Sequence, residues 1–301
     1  MNEAHPCLRV RAALPHFFAE GDRAIGYGSA APGARLARSL SLARCLGALL
    51  DHRRSATDLV LDIGRRCLST TPGTGDGAVD LPLPVQIEVH VFTTRSQCLL
   101  EVLDYFCPAI QVHTVELDDP LQLALVTRDW LIAAEPLADL SLYLEDDLVI
   151  ADPLFFAKQQ WFTRVTAGRA VLMPHRHEAI PGQAGQRLLV DGPLRDGFIR
   201  RFTNPQPAVA RGRFGNGPEI SFDRTPNPHS GLFCLSPAQV ESRRQRPLPN
   251  DGFVGPLETA ATLTVLEMFE VWKPALAQRG FLWVEHGHPR FTAFAKRFSI
   301  R

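Results

Sequence analysis

The stretch LSLYLEDDLVIADPLFF, Leu140 to Phe156, sets Glu145, Asp146 and Asp147 side by side between apolar runs. Ionised carboxylates so placed repel one another and are costly to bury unless positive groups compensate. A hard divalent cation carrying phosphate oxygens would do so, because magnesium and manganese typically take one or two protein carboxylates and complete their shells with water and phosphate. A solvated acidic turn at an exposed strand end accounts for the same three residues. The apolar flanks favour the first account, since they hold the acids at the mouth of a sheet.

Other residues have the types and spacing for chemistry. VEHGHPRF, Val284 to Phe291, puts His286 and His288 two apart, on one side of an extended strand. MPHRHE carries His175, His177 and Glu178, and two HxH pairs hint at zinc. Their spacing matches no HExxH helix, and a zinc site would leave the acidic triplet unexplained. Glu258, in DGFVGPLETAATLTV, follows Pro256. It either complements a helix dipole in the first turn or is a carboxylate able to take a proton. The Gly-rich GDRAIGYGSAAPGARLARSL has neither GxGxxG nor GK[ST], which argues against NAD and Walker-type ATP sites.

The elements that must position these residues alternate between strand and helix. LRVRAALPHFF (Leu8 to Phe18) reads as a first strand, and a helix follows through Arg38 to Leu50. VQIEVHVFTT is a second strand, with a helix near Gln97 to Phe106, a short strand IQVHTVEL, and a helix opened by Asp118, Asp119 and Pro120. The acidic strand comes next. RAVLMPH and GLFCLS read as strands, Glu178 to Pro228 as loop-rich, Glu258 to Val271 as a long helix, and FLWVEHGH as a terminal strand. Within the loop-rich part, Gly185 to Gly217 mixes Phe198, Phe202 and Phe214 with Arg195, Arg200, Arg201, Arg211 and Arg213 at no regular period, and is expected to be a mobile acceptor-side loop. The pattern predicts an α/β sheet with ligands at the carboxyl ends of its strands.

In this setting LYLEDDLVI resembles the DxD-type metal motif of the GT-A fold nucleotide-sugar glycosyltransferases. NPHSGLFCLSPAQ (Asn227 to Gln239) is similar to that family's loop and strand beside the donor sugar, and VEHGHPRF resembles its C-terminal segment. The resemblance implies a GT-A-like single domain over residues 1–301, with a mixed central sheet flanked by helices. Residues 1–150 would be a Rossmann-like nucleotide-sugar half and 151–301 an acceptor half, with residues 178–228 loop-rich. It implies Asp147 as ligand of Mn2+ or Mg2+ on the donor diphosphate, with Glu145 and Asp146 in supporting positions. Glu145 departs from the usual Asp. Ser230 and Gly231 would border the sugar, and His286 or His288 would reach the same metal. Tyr27 and Arg38 would face base and ribose, and Arg128 would point from its helix to the donor. Glu258 would be the base of an inverting transfer, or a positioning group if configuration is retained. The donor implied is a UDP- or GDP-sugar; the acceptor is a glycan, a lipid-linked group or a small molecule. Two alternatives stand beside this: a metal-dependent hydrolase using His175, His177, His286 and His288, and a non-catalytic nucleotide-binding relative.

Composition narrows the field further. With 301 residues, 45% of them hydrophobic, the chain can bury a large core. The 32 basic residues balance 32 acidic ones, so no global field gathers nucleic acid. Six cysteines, Cys7, Cys45, Cys67, Cys98, Cys107 and Cys234, show no CxxC or metal spacing and read as small core hydrophobes. No apolar run approaches membrane-spanning length, and the start MNEAHPCLRV lacks the features of a secretory signal. The expectation is a cytoplasmic protein with reduced thiols, with attachment to a membrane surface left open.

Overall fold

The computed structural model describes residues 7–20, 32–72, 84–180, 182, 185–288, 290–295 and 297. Its first half builds most of the main sheet and a separate two-stranded hairpin. Strand β1 (Leu8–Pro15) leads to helix α1 (Arg35–Leu50), a hairpin of β2 (Thr57–Asp62) and β3 (Cys67–Pro72), and then β4 (Val85–Thr94). Helix α2 (Leu100–Phe106), strand β5 (Gln111–Val115), helix α3 (Leu123–Ala133) and strand β6 (Leu140–Leu144) follow. Asp119 accepts a hydrogen bond from the Leu121 N–H, and Pro120 opens the single 3-10 turn that runs into α3.

Strands β1, β4, β5 and β6 are parallel, in the order β6-β1-β4-β5. The chain therefore moves outward from β1 on one side through β4 and β5, and returns to its other side with β6. Between β1 and β6 the strand order reverses, the place where open α/β sheets leave a crevice at their carboxyl ends. Strand β6 is buried along its whole length, β1 and β4 alternate at their starts before becoming buried, and β5 is largely exposed. On one face Val10, Ala12 and Leu14 meet Leu42, Leu46 and Leu49 of α1. On the other, Ala13 and Tyr143 pack with Leu123, Leu131 and Ile132 of α3.

The second half adds β7 (Leu148–Val149), helix α4 (Phe155–Val165), β8 (Ala170–Leu172), β9 (His175–Ala179), β10 (Arg187–Leu189), helix α5 (Asp196–Ile199), β11 (Gln206–Arg213), β12 (Glu219–Arg224) and β13 (Leu232–Leu235). Helix α6 (Pro237–Arg244) begins with a Ser236–Gln239 capping box. Helix α7 (Pro256–Glu258), a π turn over Thr259–Leu263 and helix α8 (Thr264–Leu266) form one winding. Strands β14 (Glu270–Pro274) and β15 (Trp283–His286) and helix α9 (Thr292–Ala295) complete the described chain. Strand β13 joins the main sheet antiparallel to β6, making it mixed. Two further sheets, β10-β9-β15-β7 and β11-β12-β14-β8, stand beside it. The architecture is α/β, with several mixed sheets flanked by helices.

Two expectations are corrected here. Residues 185–217 are not one irregular loop: β10, α5 and β11 fall there, and Gln206–Arg213 pairs antiparallel with Glu219–Arg224. Its arginines hid the strand because β11 lies at a sheet edge with its side chains largely exposed, so no burial pattern marks it. The helix expected to reach Val271 stops at Leu266, since Glu270–Pro274 extends to pair with β8 and β12. No helix among the described residues is long and apolar enough to cross a membrane.

Candidate active site

The acidic triplet lies in the turn between β6 and β7, at the carboxyl end of the main sheet and beside the reversal of strand order. The turn is held from two sides. The Glu145 N–H donates to the Gly231 carbonyl (2.9 Å), and the Gly287 N–H donates to the Asp147 carbonyl (2.6 Å). A cavity of about 210 Å³ opens over it, lined among others by Phe17, Arg38, Arg176, Glu258, His286 and Arg290.

Arg38, on α1, bridges two of the acids. Its Nη2 donates to both Asp146 oxygens (2.8 and 2.9 Å) and its Nη1 to Asp147 Oδ2 (3.2 Å). Burial opposes its charge, but Asp146 and Asp147 more than offset that and hold its pKa above the ordinary arginine value. Asp146 also meets His16 Nδ1 at 2.6 Å, just beyond β1. The Leu99 N–H donates to His16 Nε2 (3.0 Å), so Nε2 is the acceptor and Nδ1 carries the proton given to Asp146. Although burial works against ionisation of Asp146, Arg38 and His16 keep its pKa below the usual carboxylate range. Asp147 is left more open: its Oδ1 is buried and makes no hydrogen bond among the described residues.

Glu145 sits deeper. Burial pushes its pKa up to about 8, with Asp147, Glu258 and Asp146 adding to the rise and Arg176 opposing it. Its Oε1 makes no hydrogen bond among the described residues, while Arg176 Nη1 stands 3.8 Å from Oε2. Gly231 makes this fit possible. Its φ is +66°, and a Cβ there would come within 2.6 Å of Glu145 Oε2 and 2.9 Å of Leu148. Behind Glu145, Asp191 accepts from Arg176 Nε (2.9 Å) and from Lys273 Nζ (3.1 Å), and Lys273 also donates to the His229 carbonyl (2.8 Å). Burial lowers the Lys273 pKa to about 8, and burial together with Arg176 keeps His229 neutral.

The C-terminal segment forms the remaining wall. His286 Nε2 lies 3.5 Å from Asp147 Oδ2, and its Nδ1 lies 2.7 Å from Glu178 Oε1. His288 also lines the cavity, and its Nδ1 is buried without a hydrogen bond among the described residues. Glu258 enters from α7 directly before the π turn, a local widening frequent at functional sites.

Of the residues singled out from sequence, the fold brings Arg38, Glu145, Asp146, Asp147, Glu258, His286 and His288 to one cavity. Arg128 does not reach it: its guanidinium is buried against the Pro249 carbonyl, Asn250 and Asp129, where it ties α3 to the 249–250 loop. Ser230 is fully buried, with its hydroxyl donating to the Pro174 carbonyl, so the part it plays is structural. Gly231 serves the site by making room for Glu145. Tyr27 lies outside the described residues. His175 and His177 do not converge with His286 and His288. They alternate on β9 with Arg176 and Glu178, which face the site; His175 bonds the Pro274 carbonyl and His177 packs on Trp283. The histidine set of the hydrolase alternative is therefore divided between two faces.

Sequence reading missed His16, Arg176 and Asp191. His16 had a usable signal, a polar residue at the carboxyl end of the first strand of an α/β sheet. Arg176 and Asp191 had none, being 15 residues apart and joined only by the β9–β10 pairing.

No protein-family description and no curated protein matches the chain. Among solved structures, S. aureus TarS 1-349 aligns with a TM-score of 0.41 and 11% identity, covering 91% of this chain and 62% of that one. The same protein in complex with UDP aligns at 0.40 and 11%, covering 88% and 60%. In complex with UDP-GlcNAc it aligns at 0.38 and 10%, covering 88% and 58%. The chain thus spans less than two thirds of the solved chains it resembles. So loose an alignment carries no argument about the site, whose reading rests on its own geometry.

Proposed function

We propose that this cavity binds a nucleoside diphosphate sugar, with a divalent cation, and transfers the sugar to an acceptor. The observation that carries the reading is the state of Asp147 at the reversal of strand order. One of its oxygens is buried without a hydrogen bond, and the other faces His286 Nε2 at 3.5 Å. Four carboxylates, Glu145, Asp146, Asp147 and Glu258, line the cavity against three guanidinium groups, Arg38, Arg176 and Arg290. Burial first raises the Glu145 pKa to about 8, with Arg176 opposing the rise and Asp147, Glu258 and Asp146 adding to it.

The residues fit a hard cation sparingly. Among the described residues no three His, Cys, Asp or Glu side chains form a ready cage. Asp147 and His286, with His288 near, would supply one or two ligands, the number Mg2+ or Mn2+ takes when diphosphate and water fill the rest. Bound there, the ion would act as a Lewis acid toward the leaving diphosphate. Arg38 holds Asp146 and Asp147 in register, and Arg290 adds positive charge at the rim. Glu258, at the end of α7, would accept a proton from an acceptor hydroxyl.

The reading is tested by thermal shift with UDP or GDP, with and without Mn2+. Stabilisation that needs both is expected, since a ligand of the folded state raises its apparent stability. No response to either nucleotide would overturn it, and stabilisation by Zn2+ alone would favour a hydrolase. Release of sugar from a UDP- or GDP-sugar with Mn2+ then separates an enzyme from a binding relative.

The two histidines are expected to differ. His286 is fixed by Glu178 toward Asp147, whereas His288 makes no described contact with Asp147 within hydrogen-bond distance. His286→Ala should weaken Mn2+-dependent nucleotide binding by about 10- to 100-fold, and His288→Ala by less. Equal or negligible losses in a calorimetric titration would remove His286 from the cation site.

A further inference from the structure

We propose that Glu178 is a positioning residue that joins a C-terminal strap, Arg290 to Thr292, to the site: one carboxylate both presents His286 to Asp147 and anchors the strap beside it. Glu178 is fully buried on β9. Its Oε1 accepts from His286 Nδ1 (2.7 Å), the Arg290 N–H (2.9 Å) and the Phe291 N–H (3.0 Å). Its Oε2 accepts from the Phe291 N–H (3.0 Å) and the Thr292 N–H (2.7 Å). Burial disfavours the charged form, yet these donors hold its pKa below the ordinary glutamate value.

The donor set determines the histidine. An ionised carboxylate only accepts, so the proton between Glu178 and His286 belongs to Nδ1. Nε2 is then the nitrogen turned to Asp147. A carboxylate holding the far nitrogen of an imidazole fixes ring orientation and tautomer, and raises its basicity as a ligand. The same two oxygens gather three successive strap N–H groups, the arrangement by which a carboxylate caps the start of a helix, here α9. With the strap so held, the Phe291 ring packs on His286, 5.6 Å between centroids, and Arg290 reaches the cavity rim. Presentation of His286 and closure of the strap therefore share one set of hydrogen bonds, and loss of either loosens the other.

A carboxylate meets these demands and an amide does not. In Glu178→Gln one oxygen becomes an NH2 group, which would face strap N–H groups as donor against donor. The link to a cation rests on the transferase reading; the tautomer and the strap do not. The experiment is long-range 15N–1H correlation on 15N-histidine-labelled protein without metal, at mildly alkaline pH, where an ordinary imidazole is neutral. In the wild type His286 should carry its proton on Nδ1. Glu178→Gln should shift it toward Nε2, and trypsin cleavage after Arg290 should become roughly tenfold faster. Thr292→Pro removes one strap donor at the first helical position, where proline is tolerated. It should speed the same cleavage and blur the His286 signature, and it keeps the idea testable if Glu178→Gln does not fold. A wild-type proton on Nε2, or variants that leave both tautomer and cleavage unchanged, would overturn the proposal. Mn2+ binding followed by electron paramagnetic resonance should weaken about 10- to 100-fold in Glu178→Gln. If the wild type binds no Mn2+, the transferase reading fails, and the tautomer still decides the role of Glu178.

Discussion

Asp147→Asn is expected to remove Mn2+-dependent nucleotide binding and sugar transfer, a loss on the order of 10²-fold or more in kcat/KM, while the protein stays folded. Asparagine keeps the shape of the side chain and can still accept from Arg38, so the turn between β6 and β7 survives. Its two backbone anchors, Glu145 to Gly231 and Gly287 to Asp147, do not involve the side chain. What disappears is one negative charge and the pair of carboxylate oxygens, Oδ1 without a hydrogen bond among the described residues and Oδ2 facing His286. The result must be read with melting temperature. Wild-type activity in Mn2+ would remove Asp147 from the site. A large fall in melting temperature would mean that the acid chiefly balances Arg38 within the scaffold, which its 3.2 Å contact makes a real competing role.

The positions legible in sequence are those whose partners lie nearby in sequence or at strand ends. LSLYL is buried throughout, and LRVRAALP and VQIEVHVFTT alternate before turning apolar, so these strands stand out, and a break of three acids marks the end of one. His286 and His288 show themselves by their spacing in an extended segment. Arg128 misled because a basic residue on a helix before the acidic strand has no sequence mark distinguishing a side chain turned to the cavity from one turned to the 249–250 loop; only tertiary packing against Pro249 and Asn250 decides it. Ser230 misled for a related reason: a small hydroxyl satisfies a buried carbonyl as readily as it meets a ligand. Gly231 was legible as a glycine, but its purpose was not, since its contact with Glu145 joins strands distant along the chain. The same holds for the Arg176–Asp191–Lys273 group, whose members come from three separate segments.

That group should control stability and its pH dependence. Asp191 is almost wholly buried between Arg176 and Lys273. Burial would raise its pKa, yet the two cations hold it well below the usual carboxylate range. A carboxylate whose folded pKa is depressed adds stability above its unfolded pKa of about 3.9 and loses it as pH falls through that range toward the folded value. Asp191→Asn removes this contribution and leaves two cations facing each other out of water. A loss of about 3–5 kcal/mol at neutral pH is expected, because breaking a buried ion pair strands its partners. The acid limb of the stability curve should become shallower. On the alkaline side the slope has the same sign and should steepen: Lys273, already lowered to about 8 first by burial, loses its main anionic partner. Between its folded pKa and its unfolded value near 10.4 the unfolded chain binds more protons, so the variant should gain stability as pH rises there. Removing the stranded charge as well, in Asp191→Asn with Lys273→Met, should restore part of the loss, because apolar replacement of a buried pair is often neutral. Urea denaturation over a pH series checks all of these together. A single variant within about 0.5 kcal/mol of wild type, with an unchanged pH profile, would show that the three charges do not support the fold. Arg176 would then be free of Asp191 and held near Glu145 by the cavity alone.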